Sequence, residues 1–226
     1  MEFRRGLQTF LDRTEAGRLL SEPLQRFAGP DTIVLGVPRG GVVVAAEVAR
    51  ALDAPLDVII ARKIGAPMQP ELAIGAVVSG GTRLLDERTI RMLRVSAEYI
   101  EEESRRQLEE IRRRVDYYRS GRPEPNLTGR TVIVVDDGIA TGYTIRAALE
   151  GLRGQGVGKL VVAVPVAPPS AIPQLREIAD EVVALRTPEP FMAVGAWYQD
   201  FDQSTDEEVA RLLAQLGPAA RLSAAA

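Results

Sequence analysis

Two adjacent carboxylates, Asp136 and Asp137, directly follow an apolar run and precede a series of small and hydroxyl residues. Neighbouring acids at a strand end can accept hydrogen bonds from two hydroxyls of a ribose, or help to hold a cation. Thr141 and Thr144 lie where a helix is expected to begin, and the free backbone N–H groups of a helix start suit a phosphate. Gly142 lets the backbone approach such a ligand closely. The spacing therefore predicts a site for a ribose that carries a 5-phosphate.

A second turn, Pro38-Arg39-Gly40-Gly41, also separates an apolar run from a helical stretch. Backbone N–H groups near Gly40 and Gly41, together with the Arg39 guanidinium, could hold a diphosphate. The alternative is a tight glycine turn with a solvated Arg39. Lys63 is a further candidate, since 26 of the 28 cationic side chains are Arg and only two are Lys. A compact ammonium at this position suggests a specific role, with a surface Lys as the alternative.

The residues that the chain lacks exclude several kinds of chemistry. With no His and no Cys, the chain has no thiol nucleophile, no imidazole base and no ordinary zinc site. Any metal is expected to be bound through oxygen, and Mg²⁺ held jointly by Asp136, Asp137 and a phosphate-bearing substrate fits this donor set. The net charge of −3 gives no general argument for nucleic acid.

The elements that must position these residues alternate between apolar runs and helical stretches. Continuous apolar runs are typical of strands covered on both faces, so the pattern predicts an α/β fold with a doubly wound parallel sheet. Ligands of such sheets bind beyond the carboxyl ends of the strands. The predicted strands are 32–36, 57–61, 131–135, 160–164 and 181–185, and the predicted crossover helices are 42–52, 144–153 and 171–178.

Two segments interrupt this alternation. Residues 73–85 predict a β-hairpin around Ser79-Gly80-Gly81, and residues 86–118 predict one long charged helix. The apolar seam of that helix either packs on its own domain or forms a dimer contact. Its Arg112-Arg113-Arg114 run is typical of a solvated face rather than an RNA-binding patch. We therefore expect one domain over residues 1–226, with an inserted hairpin and helix at about 72–120 and a frayed tail at about 217–226.

The segment from Val132 to Thr144 closely resembles the phosphate-binding signature of the type I phosphoribosyltransferases. The segment from Leu35 to Val42 is similar to the diphosphate-binding loop of that family, and Lys63 sits where the family carries a basic residue that reaches the same group. A looser likeness covers residues 191–201, where Trp197 and Asp200 resemble the part that contacts the base in purine-handling relatives; the alternative is that the aromatic residues of this segment belong to the core. The competing Walker and dinucleotide-binding glycine patterns do not occur.

The resemblance implies a Mg²⁺-dependent enzyme that transfers the phosphoribosyl group of 5-phosphoribosyl 1-diphosphate to a nucleobase or similar nitrogen acceptor. Asp136 and Asp137 would hold the ribose, and Arg39 and Lys63, with Pro38, Gly40 and Gly41, would bind the diphosphate. The 5-phosphate loop would consist of Gly138, Ile139, Ala140, Thr141, Gly142, Tyr143 and Thr144.

The acceptor is less well defined by the same resemblance. Ala140 stands where hypoxanthine and guanine enzymes carry an Asp, so the sequence is more similar to adenine enzymes at that point. Glu71 and Asp200 are the carboxylates considered as general bases.

Two other functions remain open at this point. A non-catalytic sensor of 5-phosphoribosyl 1-diphosphate that binds nucleic acid would use the Arg-rich helix, and a Rossmann-like nucleotide-binding domain would lack its glycine fingerprint. The first residues form no signal peptide and no apolar run is long enough for a membrane helix, so a cytoplasmic protein is expected.

Overall fold

The computed structural model describes residues 9–218, and its centre is a five-stranded parallel sheet. The strand order is β2-β1-β6-β7-β8. The strands are β1 (Thr32–Gly36), β2 (Leu56–Val58), β6 (Thr131–Val135), β7 (Lys159–Val166) and β8 (Glu181–Arg186). Every residue of β1 is buried, as expected for a strand covered on both faces. The predicted parallel sheet is confirmed.

Helices cover both faces of the sheet, as the doubly wound prediction requires. One buried cluster joins the sheet to α1, α2, α4 and α7, and a second joins its other face to α5 and α6. In α5, Ile145, Ala148, Leu149 and Leu152 are buried, which is the spacing of one helix face. The helices are α1 (Arg13–Leu24), α2 (Gly40–Ala51), α3 (Glu87–Leu93), α4 (Ala97–Arg119), α5 (Tyr143–Arg153), α6 (Ala171–Arg176) and α7 (Asp206–Leu216).

The insertion forms a separate three-stranded antiparallel sheet in the order β3-β4-β5. Its strands are β3 (Ala61–Ala66), β4 (Gln69–Val78) and β5 (Arg83–Leu85). The predicted hairpin at 73–85 is therefore present, but β4 begins earlier and pairs with β3 as well. The predicted strand at 57–61 is in fact divided, because β2 ends at Val58 and Ala61 already belongs to β3.

The single long helix predicted over residues 86–118 is wrong, because the structure divides it into α3 and α4. The chain turns at Arg94, which adopts a left-handed conformation with φ 53°. The Ser96 side chain then accepts a hydrogen bond from the Tyr99 backbone N–H and so starts a new helix. Ser96 lies within the predicted apolar seam, and its capping role is not revealed by apolar spacing alone.

The apolar seam of α4 packs on its own chain. Ile100, Ile111 and Tyr118 are buried, and α4 contacts α7, β3 and β4. The apolar seam therefore packs on the domain of its own chain, which is the first of the two alternatives predicted from the sequence. Within residues 9–218, no helix has both the length and the apolar character needed to cross a membrane. The tail predicted at 217–226 lies outside the described residues from 219 onward.

Candidate active site

The acid pair and the predicted diphosphate loop lie side by side at the carboxyl edge of the sheet. Strands β1 and β6 are parallel neighbours in which Gly36 is paired with Val135, so the segments after these residues leave the sheet together. The backbone N–H of Val37 donates to the Val135 carbonyl at 2.9 Å. At Gly41 an added Cβ would lie 2.8 Å from both the Cα and the Oδ1 of Asp136. Glycine is required here because α2 begins directly against the acid pair.

Asp137 is held by an arginine that the sequence did not single out. The Nε of Arg13, at the start of α1, donates to Asp137 Oδ2 at 2.8 Å, and the two side chains are only 12% and 16% exposed. The Nη1 of Arg13 donates to the backbone oxygen of Asp202 at 2.7 Å. The guanidinium also lies 3.9 Å from the centre of the Phe201 ring. Three contacts therefore fix Arg13 while it holds Asp137.

Asp136 has a different environment from its neighbour. Its Oδ1 accepts a hydrogen bond from the Asp137 backbone N–H at 2.8 Å, and among the described residues no cationic side chain forms an ion pair with it. Burial raises the pKa of Asp136 well above its ordinary value, and the nearby charge of Asp137 raises it further. Asp136 is thus the carboxyl group without a cationic partner, and its ionised form would be stabilised by a cation or by donor hydroxyls.

The predicted phosphate loop is built as a cradle at the start of α5. Gly142 adopts a left-handed conformation with φ 75°, and no side chain caps the helix that follows it. The first backbone N–H groups of α5 therefore have no side-chain acceptor, as an anion site requires. A small pocket of about 140 Å³ opens here. Its lining is Asp136, Gly138, Ile139, Ala140, Thr141, Gly142, Tyr143, Thr144 and Ile145.

The far side of this loop is anchored in the core. The Ile139 backbone N–H donates to the Val166 carbonyl at 2.9 Å, at the end of β7, and the Ile139 side chain is buried. An added Cβ at Gly138 would lie 2.5 Å from Val194. Ala140, Thr141 and Thr144 are exposed. The loop is thus fixed by its contacts with Val166 and Val194, and its small and hydroxyl side chains face solvent.

Arg39 stands at the N-cap position of α2 and is half-buried. Its side chain forms no hydrogen bond or ion pair with any of the described residues. The Pro38–Arg39 peptide bond is cis. The Arg39 charge acts on Tyr118, but an arginine without a hydrogen bond or ion pair to the described residues, beside Gly40 and Gly41, is available to an anionic ligand.

Lys63 and Glu71 lie apart from this group. Lys63 belongs to β3 of the second sheet, where it is paired with Ala76, rather than to the end of a strand of the central sheet. Its Nζ donates to Glu71 Oε2 at 2.7 Å, and the Glu71 side chain is 94% exposed. The hydrogen bond from Lys63 lowers the pKa of Glu71, which makes Glu71 a weaker base than an unpaired carboxylate. The structure does not bring either residue into contact with the acid pair.

The late aromatic segment contributes to the site in a different way from the one predicted. Trp197 is only 6% exposed and stacks on Phe191 with ring centres 6.4 Å apart, so in this structure it packs in the core, as the alternative for this aromatic segment expects. Tyr198 is the aromatic residue that reaches the site, because its hydroxyl donates to the backbone oxygen of Asp137. Asp200 is exposed and its Oδ1 accepts from the Asp202 backbone N–H.

Arg13 and Tyr198 are the two site residues that the sequence did not predict. Arg13 is separated from its partner by more than a hundred residues and is one Arg among 26, so no local pattern identifies it. Tyr198 lies inside the aromatic segment already singled out. The parallel bridge between Phe10 and Tyr198 brings Arg13 and Tyr198 to the acid pair. Such a contact between distant segments leaves no periodic signal in the sequence.

The donor set fits a metal ion that is shared with a ligand. Among residues 9–218, no group of three or more acidic side chains could hold a metal without other help. Asp136 and Asp137 supply two adjacent carboxylates, one of which is already paired with Arg13. A Mg²⁺ ion at this position would need phosphate oxygens and water to complete its shell, which is its usual mode of binding.

Comparisons with known proteins agree with this geometry. Residues 11–195 match the family model described as phosphoribosyl transferase domain. Two Mycobacterium tuberculosis proteins that carry a provisional phosphoribosyl transferase name are 46% identical to this chain over 207 residues. The match covers 92% of this chain and 47% of each relative, so the chain spans about half the length of these curated relatives. A crystal structure from Thermus thermophilus is 47% identical with a TM-score of 0.81, and the match covers 92% of this chain and 99% of that one.

Proposed function

Because this chain belongs to the phosphoribosyl transferase family, as the match over residues 11–195 shows, we propose that its substrate is 5-phosphoribosyl 1-diphosphate and that it transfers the phosphoribosyl group to a nucleobase or a similar nitrogen acceptor. One observation carries this proposal. The acid pair after β6 lies directly against the glycine loop after β1. The segments proposed to bind the ribose diol, its 5-phosphate and the diphosphate are therefore neighbours, which supports the proposal.

Each part of this substrate has a counterpart in the site. The ribose hydroxyls would donate to the carboxylates of Asp136 and Asp137. The 5-phosphate would accept from the backbone N–H groups at the start of α5 and from the hydroxyls of Thr141 and Thr144. The diphosphate would accept from the backbone N–H groups near Gly40 and from Arg39, as a charge-assisted contact. Lys63 stays a predicted diphosphate contact.

The reaction proposed is a displacement at C1 of the ribose. The acceptor nitrogen forms a bond to C1 while the bond from C1 to the diphosphate oxygen breaks, and both electrons of that bond leave with the diphosphate. Arg39 and the loop N–H groups would stabilise this departing charge, and Asp136 and Asp137 would fix the ribose so that C1 is presented to the acceptor. When bound with the substrate, Mg²⁺ would supply further positive charge to the diphosphate.

The acceptor site has no strong general base among the predicted carboxylates. Glu71 is paired with Lys63 and Asp200 accepts a backbone hydrogen bond on an exposed turn, so the proton of the acceptor nitrogen would pass to solvent or to a substrate oxygen. With Ala140 exposed beside the phosphate loop, no carboxylate stands at the position used by hypoxanthine and guanine enzymes. Adenine or a non-purine nitrogen is the proposed acceptor class. A cytoplasmic location and a role in nucleotide metabolism stay predictions.

The nucleic-acid-binding alternative gains no support from α4. Arg113 and Arg114 both donate to Glu110, and these hydrogen bonds lower the pKa of Glu110 to about 2. The charges of this face thus compensate one another along the helix, as on a solvated face.

A thermal shift experiment tests the proposal without knowledge of the acceptor. At about 100 times its dissociation constant, a ligand that binds only the folded state adds roughly 2.7 kcal/mol. Mg²⁺ with 5-phosphoribosyl 1-diphosphate should therefore raise Tm by several degrees, at about 2 to 4 °C per kcal/mol for a chain of this length. EDTA should remove most of the shift. Diphosphate release with a panel of bases then identifies the acceptor.

The matched control is the double change Asp136→Asn, Asp137→Asn. It keeps the size of both side chains but removes the charged acceptors, so the protein should fold and show no ligand-induced shift. If wild type shows no metal-dependent shift at millimolar ligand, or if the double variant shifts as much as wild type, the proposal is wrong.

A further inference from the structure

We infer that Arg13 is a positioning residue for the ribose site, and that it acts by holding the carboxylate of Asp137 in place for the substrate. This inference rests on the proposed function, because it assigns the ribose to the acid pair. It goes beyond that proposal in naming a residue at the edge of the family match, which begins at residue 11, and a segment after residue 195 that lies outside the match.

The contact between Arg13 and Asp137 is more than a surface ion pair. Exposed pairs contribute little because both side chains remain hydrated and mobile. Here both side chains are largely buried and the Nε to Oδ2 distance is 2.8 Å. The Arg13 guanidinium is also held by the Asp202 carbonyl and by the face of Phe201. A cation with three fixed contacts can set the position of a carboxylate precisely enough to matter for a ligand.

Asp137 is restrained at its backbone as well as at its side chain. The Tyr198 hydroxyl donates to the Asp137 carbonyl, and Tyr198 lies against Phe201 with ring centres 5.0 Å apart. Residues Tyr198 to Asp202, which we term the latch, therefore contact both Arg13 and Asp137. The start of the family match and the segment just beyond its end at residue 195 meet at the acid pair, and Arg13 is the side chain that joins them.

Gly40 shows that the position of this ion pair matters to the neighbouring loop. A Cβ added at Gly40 would lie 2.0 Å from Asp137 Oδ2 and 2.6 Å from Arg13 Nε. The first turn of α2 therefore rests directly on the ion pair. Without Arg13, the Asp137 carboxylate would be left beside Asp136, and the resulting repulsion would move it away from the orientation that accepts a ribose hydroxyl.

The asymmetry of the acid pair follows from the same contact. Arg13 compensates the charge of Asp137, while Asp136 has no cationic partner among the described residues. At most one uncompensated carboxylate charge then faces a substrate that itself carries phosphates. Arg13 thus allows two carboxylates to share a site that must also accept anionic groups.

Arg13→Met is the test variant, and Arg18→Met is its control. Arg18 lies on the same helix α1, but its side chain is 72% exposed and pairs only with Glu47. Affinities of wild type and both variants are measured by calorimetry for Mg²⁺ with 5-phosphoribosyl 1-diphosphate, and for Mg²⁺ with inorganic diphosphate, which has no ribose. Arg13→Met should weaken the ribose-containing ligand by about tenfold, which is the loss expected for a charge-assisted contact. Its affinity for inorganic diphosphate should change by less than about twofold, and Arg18→Met should match wild type for both ligands.

Each other outcome has a distinct meaning. If wild type binds neither ligand, the proposed function itself fails. If wild type binds both and Arg13→Met binds the ribose ligand as tightly as Arg18→Met does, the inference is overturned. Equal weakening for both ligands also overturns it, since that result describes a general loosening of the site. If Arg13→Met does not fold, Arg13→Lys decides the question: selective loss of the ribose ligand supports the inference, and unchanged or parallel affinities reject it.

Discussion

Substitution by alanine should act through different mechanisms at the adjacent glycines Gly40 and Gly41, by loss of ligand affinity at the first and by overpacking at the second. A Cβ at Gly40 would lie 2.0 Å from Asp137 Oδ2, which is the end of a side chain. A Cβ at Gly41 would lie 2.8 Å from the Asp136 Cα and 3.0 Å from the Val135 carbonyl oxygen, which are backbone atoms. A side chain can move aside, whereas the backbone of a buried strand end cannot do so at low cost.

The expected magnitudes follow from these distances. In Gly40→Ala the Asp137 carboxylate must move by at least about 1.5 Å to go from 2.0 Å to an ordinary contact distance of about 3.5 Å. That movement breaks the 2.8 Å bond to Arg13, at a cost of about 1.5 to 3 kcal/mol. The alanine itself returns about 0.5 to 1 kcal/mol by restricting the unfolded chain. The free energy of unfolding should fall by only about 1 to 2 kcal/mol, while affinity for 5-phosphoribosyl 1-diphosphate should fall by at least about tenfold.

Gly41→Ala should instead reduce the free energy of unfolding by about 1 to 3 kcal/mol, the usual cost of overpacking, because α2 and β6 must separate. Gly29→Ala is the control, since nothing lies within 4 Å of a Cβ at that position. Urea denaturation gives the stabilities and calorimetry with Mg²⁺ gives the affinities. Wild-type affinity in Gly40→Ala would refute the placement of the diphosphate loop against the acid pair.

Three further predictions concern the charges of the protein. Burial and the charge of Asp137 raise the pKa of Asp136 above its ordinary value of 3.8. Between these two values of pH, the folded state keeps a proton that the unfolded state has lost. The free energy of unfolding should therefore fall as pH rises through this interval in wild type, and not in Asp136→Asn. Urea titrations at a series of pH values check this, and parallel curves would contradict it. Arg119 forms a buried ion pair with Asp57 at 3.1 Å. Arg119→Met should therefore lower the free energy of unfolding by about 3 to 5 kcal/mol, because it leaves a buried charge unpaired, and adding Asp57→Asn should restore part of this loss. An unchanged urea midpoint in Arg119→Met would rule this out. Arg39→Ala should weaken binding of 5-phosphoribosyl 1-diphosphate at least about tenfold yet spare ribose 5-phosphate in calorimetry, and equal loss for both ligands would show that Arg39 supports the fold instead.

The central sheet was predictable from the sequence because its strands are continuous apolar runs. Residues 32–36 and 131–135 match β1 and β6 at both ends, and the positions of the two ligand loops follow from these strands. The break between α3 and α4 was not predictable from periodicity, since the apolar seam continues on both sides of Arg94. That break depends on a local backbone conformation and a serine cap, which apolar spacing does not report.

The candidate site was predictable only where its residues are close together in sequence. The phosphate loop at 138–144 forms one pocket with Asp136, because a strand, a turn and a helix start are contiguous. Arg13 and Tyr198 could not be assigned, since they reach Asp137 through contacts between distant segments. Trp197 could be either a base contact or a core residue on the sequence alone; it packs in the core, because an indole ring buries a large apolar area.

The pairing of β1 with β6 also determines when the site comes into existence during folding. Thr32 is paired with Thr131, about a hundred positions away, and β2, the second sheet and the three helices α2, α3 and α4 lie between them. Closing a connection of that length costs roughly 2 kcal/mol more chain entropy than closing a ten-residue turn, and such non-local pairing slows folding. A nascent chain that ends before residue 131 would already hold the diphosphate loop and the hairpin but would have neither β6 nor the acid pair. Ligand binding is therefore expected to report on the completed global topology rather than on any locally folded part.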